Sequence, residues 1–242
     1  MCYHLSLFHE MRQLEQRFGA GFDSPQQFAP AYHKAAFGSP AHPVITDSEP
    51  DRIRMFEWGL VPGWVRDEGK AGQIRKGTYN AKAETVFDKP SFRSPIMAKR
   101  CLVLADGFFE WHHSGGRKYP YYIRLKGGEP FAFAGIWDEW AHGDRTTGTF
   151  SIITTEANPM LARIHNTKKR MPVILRRDQE RRWLERGLER EQIGAMLKPH
   201  DDNEMESHPV SGMVSSRGHR DGPELIAPFE YKELKETQRM LF

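Results

Sequence analysis

Cysteine is scarce in this chain. Only Cys2 and Cys101 occur in 242 residues, which excludes a disulfide framework and fits a reducing, intracellular compartment. No apolar run is long enough to span a bilayer. The N-terminus has no basic stretch followed by an apolar one, so no signal peptide is expected. Net charge is only +3, too small to indicate a nucleic-acid partner by itself, so local basic clusters carry more weight. No G-x-G-x-x-G, G-x-x-x-x-G-K-[ST] or G-x-S-x-G is present. That leaves nucleotide-phosphate loops and the hydrolase elbow unsupported. C-x-x-C and H-E-x-x-H are also missing, and the adjacent His112 and His113 point to opposite sides of a strand. Neither a metal nor a cofactor is expected.

What is present supports one domain. Hydrophobic residues make up 38% and aromatics 12%, enough for a core. No linker, repeat or low-complexity tract divides the chain. Met11, Leu14 and Phe18 have helical spacing, which predicts a helix from Glu10 to Phe18. Prolines 25, 30, 40 and 43 predict loop from Phe22 to Pro43. Aromatic and β-branched runs predict strands at Val44–Thr46, Arg52–Leu60, Cys101–Trp111, Tyr121–Leu125, Phe131–Trp137, Phe150–Thr154 and Pro172–Leu175. A short helix is expected near Ala83, another from an Asp178 cap through Leu184, and a late strand over His208–Val214. The domain is expected to run from Met1 to Glu230, with a tail from Tyr231 to Phe242 that is either a short amphipathic helix or frayed. Many strands with scattered helices predict a mixed α+β fold rather than alternating βαβ units.

Cys2 is the most informative position: it is either an incidental residue near a frayed terminus or a nucleophile. Once Met1 is removed, an α-amine and a thiol sit on adjacent carbons. The amine condenses with an aldehyde to an imine, and the thiol can close on the imine carbon to give a thiazolidine. The two groups titrate near neutrality, at about 7.7–8.0 and about 8.5. Cys101, in an apolar run, reads as a small buried hydrophobe.

Three further polar residues stand in apolar, strand-like surroundings. Asn80, in Tyr79-Asn80-Ala81-Lys82-Ala83-Glu84-Thr85, reads either as a helix cap or as a group that holds substrate or the Cys2 amine. Glu110, between Phe109 and Trp111, either lies on a wet face or is a desolvated acid with a raised pKa. His165 is followed by Lys168, Lys169 and Arg170 and preceded by Arg163. It is either a surface histidine or a proton-transfer group beside phosphate-attracting cations.

In order along the chain, several segments resemble the SRAP (SOS response-associated peptidase) family of abasic-site processing proteins. They are Met1-Cys2, Trp58 through Trp64, Tyr79 through Thr85, Arg100 through Trp111, Ile164-His165, Arg170 through Leu175, and His208 through Ser211. The resemblance implies a single α+β domain with a twisted, barrel-like β core and peripheral helices. It implies a basic groove for single-stranded DNA containing abasic sites. It places the family nucleophile on Cys2, a holding amide on Asn80, a proton-transfer carboxylate on Glu110 and a ring-opening histidine on His165. Trp64 falls in the motif that shapes the DNA-facing wall. Lys82, Arg163, Lys168, Lys169 and Arg170 become the candidate groove cations. Self-removal of Met1, a monomeric state and a cytoplasmic location at the nucleoid complete the expectation.

The chain departs from the family at several places. Tyr3-His4 stands where the family typically has Gly-Arg, and Lys82 stands where Arg is usual. Tyr32-His33-Lys34-Ala35-Ala36 replaces Tyr-Asn-Val-Ala-Pro, and Ser215 replaces Asn. Lysine keeps the charge but loses the planar fork of arginine. Two rival functions use the same features. One is an N-terminal-nucleophile amidohydrolase with Cys2, and the other is a non-catalytic single-strand binder built on Trp58, Trp64 and the basic residues.

Overall fold

The computed structural model describes residues 2–216 and 218–234. In chain order its elements are β1 (His4–Leu7), α1 (Met11–Phe18), β2 (Gly21–Phe22), β3 (Ala31–Ala35), β4 (Ala41–Thr46) and β5 (Arg52–Trp58). Next come α2 (Glu68–Gly77), β6 (Asn80–Lys82), α3 (Arg93–Ala98), β7 (Arg100–Ala105), β8 (Gly107–Ser114) and β9 (Arg117–Leu125). The remainder is β10 (Phe131–His142), β11 (Arg145–Glu156), α4 (Pro159–Ile164), β12 (Arg170–Pro172), α5 (Arg177–Trp183), α6 (Arg190–Met196) and β13 (Met205–Pro209).

Five strands close on themselves. β11 pairs with β10, β10 with β7, β7 with β4 and β4 with β5. β5 returns to β11 through the parallel pairs Thr149↔Glu57 and Phe150↔Trp58. A second sheet, ordered β13-β9-β8-β1-β3, lies against this barrel. Period-two alternation divides the side chains. Leu102 and Leu104 join a core with Leu14, Phe18, Trp183 and Ile193 of the covering helices. Cys101 and Val103 face the other way, into a core shared with Cys2 and with Leu5 and Phe108 of the second sheet. The expected single α+β domain with a barrel-like core and peripheral helices is therefore present.

Local chemistry sets the element ends. In α1 the Glu10 side chain accepts from the backbone of Gln13, whose side chain bonds back to the Glu10 backbone. Gly19, at φ 63°, closes the same helix in the left-handed region. Arg100 is fully buried, yet its guanidinium donates to the carbonyls of Ile96, Met97, Trp183 and Glu185. That one side chain ties α3 and the end of α5 to the barrel.

Several sequence expectations are corrected. The stretch from Phe22 to Pro43 is not all loop, because it contains β3 and the start of β4. Pro43 is tolerated inside β4, and β3 pairs with β1. The predicted strand Cys101–Trp111 is two strands in different sheets, broken at Asp106. Asp106 turns inward and accepts from the Phe8 and His9 amides. A Cβ at Gly107 would run into the Tyr122 ring, so only glycine fits this crossing. No helix starts near Ala83; Asn80 lies in β6, followed by turns, and it caps nothing. The cap of α5 is Arg176 rather than Asp178, which sits in the first turn. The late strand is β13, ending at Pro209, and Gly212–Ser215 is a 3-10 turn. Of Pro172–Leu175 only Pro172 belongs to β12, although Ile174 bridges to Phe133. Most of the expected tail, residues 235–242, lies outside the described residues.

Candidate active site

The site assembles where the second sheet meets β6 and the end of α4. β1 and β8 are antiparallel, with Leu5 opposite Phe108 and Ser6 opposite Gly107. Upstream of this pairing Cys2 comes close enough to Glu110 for the carboxylate to act on its thiol. β6 pairs in parallel with β11, Asn80 opposite Ile152, and the Trp58 indole donates to the Tyr79 carbonyl at 2.9 Å. Asn80 Nδ2 donates to the Cys2 carbonyl oxygen at 2.9 Å. Its Oδ1 is buried with no hydrogen-bond partner among the described residues.

His165 is placed by the helix before it. Asn158 Oδ1 accepts from the Leu161 amide at 2.8 Å, and Pro159 opens the first turn. His165 is the C-terminal cap, its amide bonded to Leu161 O at 2.7 Å. The segment after it is pinned to β8. Asn166 accepts from the His113 amide and donates to the His113 carbonyl at 3.1 and 2.8 Å. His112 Nδ1 donates to the Arg163 carbonyl at 2.9 Å. These contacts set His165 Nδ1 at 3.7 Å from Glu110 Oε2. Since Nδ1 also donates to the Arg170 carbonyl at 2.9 Å, Nε2 carries the lone pair of the neutral ring.

Cys2, Asn80, Glu110 and His165 are all buried, and burial dominates the protonation of Cys2, Glu110 and His165. Burial pushes Glu110 up to about 7. The Cys2 thiol is pushed far above its usual range by burial, with the Glu110 carboxylate adding to the effect. Burial pulls His165 down to about 4, and the Lys168 charge and His113 act in the same direction. At neutral pH the site therefore holds a thiol, a neutral imidazole and a carboxyl group poised between its two forms.

Glu110 and His165 open onto a cleft of about 460 Å³. Among the expected cations, Lys168 lines it. Lys82, Arg163 and Lys169 are exposed but do not line it, nor does Trp64, which is 60% exposed. Arg170 is engaged, donating to the Glu84 carboxylate and to Thr154 O. The cleft also takes in residues that the sequence reading passed over as site residues: Tyr3, His4, Trp111, Lys118 and Ser215. The Trp111 indole donates to Ser215 Oγ at 3.0 Å. The signal for them was positional. Tyr3, His4 and Ser215 are departures from the family pattern, and Trp111 adjoins Glu110. Among the described residues no cluster of histidine, cysteine and carboxylate side chains is arranged to hold a metal ion. No helix among them is long and apolar enough to cross a membrane.

The family model for SOS response associated peptidase (SRAP) matches residues 1–217. The chain belongs to the SRAP family. It is 36% identical over 234 residues to the abasic site processing protein YoqW of Bacillus subtilis, covering 93% of this chain and 99% of that protein. It is 30% identical over 246 residues to the abasic site processing protein HMCES of Gallus gallus, covering 87% of this chain and 70% of that one. A crystal structure of a Bacteroides thetaiotaomicron protein superposes with a TM-score of 0.89 at 40% identity, covering 95% of this chain and all of that one. The four candidate residues Cys2, Asn80, Glu110 and His165 reach this region from four separate stretches of that match.

Proposed function

We propose that this SRAP protein processes abasic sites in single-stranded DNA by a covalent link through Cys2, after Met1 has been removed. The observation that carries the reading is the Asn80 amide holding the Cys2 carbonyl at 2.9 Å beside the Glu110–His165 pair. Its relatives are abasic site processing proteins, which supports the abasic-site part of this reading.

The ring-opened abasic sugar presents an aldehyde. The freed α-amine of Cys2 attacks that carbon, and the oxygen leaves as water, giving an imine. The Cys2 thiol then adds across the C=N bond: sulfur bonds to carbon and the thiol proton passes to nitrogen. The product is a thiazolidine, and the net change is loss of one water. Glu110, poised near neutrality, supplies the proton that the departing oxygen needs. His165, neutral with a lone pair on Nε2, takes the hydroxyl proton as the sugar ring opens. Asn80 positions the Cys2 backbone, and its unmatched Oδ1 is an acceptor held in reserve for the incoming groups. A thiol rather than a thiolate at rest favours attack by the amine first, with sulfur closing the ring afterwards.

Removal of Met1 is part of the reading, since an acylated nitrogen cannot form an imine. The same site performing that cleavage accords with the family's name. Lys168 and Lys118 bind phosphates of the strand, and Trp64 adds a stacking contact outside the cleft. The test is borohydride trapping with abasic single strands. Cys2→Ala keeps the amine and yields only a trappable imine, while the parent gives a heat-stable adduct without reductant. A heat-stable adduct from Cys2→Ala overturns the thiazolidine.

A further inference from the structure

Three histidines from distant parts of the chain form a hydrogen-bonded row beside the site. His4 Nδ1 meets His33 Nε2 at 2.8 Å, and His33 Nδ1 meets His219 Nε2 at 3.1 Å. His219 Nδ1 meets the Ser216 carbonyl at 2.9 Å. The carbonyl only accepts, so His219 carries its proton on Nδ1 and its Nε2 is a bare acceptor. His33 must then donate from Nδ1 and accept at Nε2, and His4 must donate from Nδ1. One carbonyl thus sets three tautomers and leaves a lone pair on His4 Nε2. No group among the described residues bonds to that nitrogen. Burial draws His4 down to about 3, with His33 adding to the effect, and draws His33 down to about 4, so these two rings are uncharged at neutral pH.

His4 lines the cleft that Glu110 and His165 open onto. A guanidinium at this position would donate to an anion. The neutral His4 ring offers the cleft only an acceptor, which repels phosphate and calls for an N–H or O–H donor. The neighbouring surface is aromatic. His4 packs edge-on against Trp111 and Phe37, with centroids 4.7 and 5.7 Å away, and Phe37 is 62% exposed and stacked on Tyr3. A sugar hydroxyl matches the acceptor but not the aromatic faces. A nucleobase with an exocyclic amino group matches both.

We propose that His4 is a specificity-determining residue, whose Nε2 accepts a hydrogen bond from the exocyclic amino group of a nucleobase flanking the abasic site, stacked on the aromatic surface of Phe37 and Trp111. This rests on the abasic-strand reading above. His33 and His219 are positioning residues that fix the tautomer.

The experiment uses the mature protein and single strands with one abasic site. Each flank in turn carries adenine or purine, the latter lacking only the 6-amino group. The parent is expected to bind and crosslink the adenine strand roughly 5- to 150-fold better at one flank, the effect of leaving a desolvated acceptor unmatched. His4→Phe should bring that ratio to about one without changing the salt dependence of binding. Nitrogen-15 NMR of labelled histidine should show the His4 proton on Nδ1, and His219→Ala should release that tautomer. Equal adenine and purine strands in the parent overturn the proposal, as does a preference that survives in His4→Phe or a His4 proton found on Nε2. A flank-independent adduct sinks this proposal alone. The lack of any adduct sinks the abasic-site reading with it.

Discussion

Asn80 and Cys2 are joined by a hydrogen bond from Nδ2 to the Cys2 carbonyl oxygen at 2.9 Å, which fixes the backbone of the proposed nucleophile from a strand 78 residues away. Asn80→Ala removes that anchor together with the Oδ1 acceptor, and leaves the Cys2 amine and thiol in place. Crosslinking should slow by about 10- to 100-fold, the scale of a small misplacement of reacting groups. The mass that the protein gains on crosslinking should not change. A different mass gain would show that Asn80 takes part in the chemistry rather than in positioning.

Glu110 gives the clearest pH signature. Its pKa is raised by burial to about 7, so the carboxyl form persists up to neutrality. The rate of adduct formation should break near pH 7 in the parent, and Glu110→Gln should abolish the break and slow the reaction by about 10²–10⁴-fold. Stability changes in a defined sense. Between the unfolded value of about 4.3 and the folded value near 7 the native state holds a proton that the unfolded chain has lost, so stability falls as pH rises through this window. Thermal melts should show Glu110→Gln gaining on the parent from pH 4.5 to 7, then holding a constant lead. A parallel pair of curves would contradict the burial of the charge.

His165 titrates in the opposite sense. Its pKa is drawn down by burial to about 4, so it is neutral throughout the pH range in which Glu110 changes form. NMR titration should find no His165 protonation between pH 8 and 5. His165→Ala should slow the reaction by about 10²–10⁴-fold on the closed-ring sugar. A stable open-chain aldehyde on a strand should escape most of that loss. Equal losses on both substrates would remove His165 from ring opening.

The cations should sort by their engagement. Lys168 lines the cleft, so Lys168→Ala should lower the salt slope of single-strand binding by about one. Arg170 is bound to Glu84 and Thr154, and its replacement should lower thermal stability with little change in that slope. Titrations at three salt concentrations separate the two outcomes. A slope lost at Arg170 and kept at Lys168 would reverse the assignment.

Placement of His165 depends on the Asn158 cap. Asn158→Ala loses the bond to the Leu161 amide and the one to the His200 carbonyl. Denaturant unfolding should show a loss of about 0.5–2 kcal/mol from the cap. Crosslinking should slow even at temperatures where the variant is fully folded. Full activity in that folded state would show that α4 is not what aims His165.

The sequence carried the chemistry further than the connectivity. Asn80, Glu110 and His165 stand out as polar groups in apolar stretches and Cys2 by its place beside Met1, while their roles come only from the family resemblance; the four do share one region. The strands β7 and β8 were not separable by pattern. Asp106 looks like any turn residue until its carboxylate is seen satisfying the Phe8 and His9 amides. The helix expected near Ala83 failed because β11 supplies a strand partner that local propensity does not see. Two departures that seemed unrelated, at His4 and His33, turn out to touch each other at 2.8 Å. Arg170 looked like a free cation because Glu84, its partner, lies far away in sequence.

The central claim is that Cys2, with its amine free, bonds covalently to an abasic strand. Intact mass spectrometry after incubation with an abasic single-stranded oligonucleotide tests it most directly. The account predicts a protein lacking Met1 that gains the mass of the oligonucleotide less one water, stable to heat, and lost in Cys2→Ala without reductant. A protein that keeps Met1 and still acquires that mass, or one that never acquires it, would contradict the account.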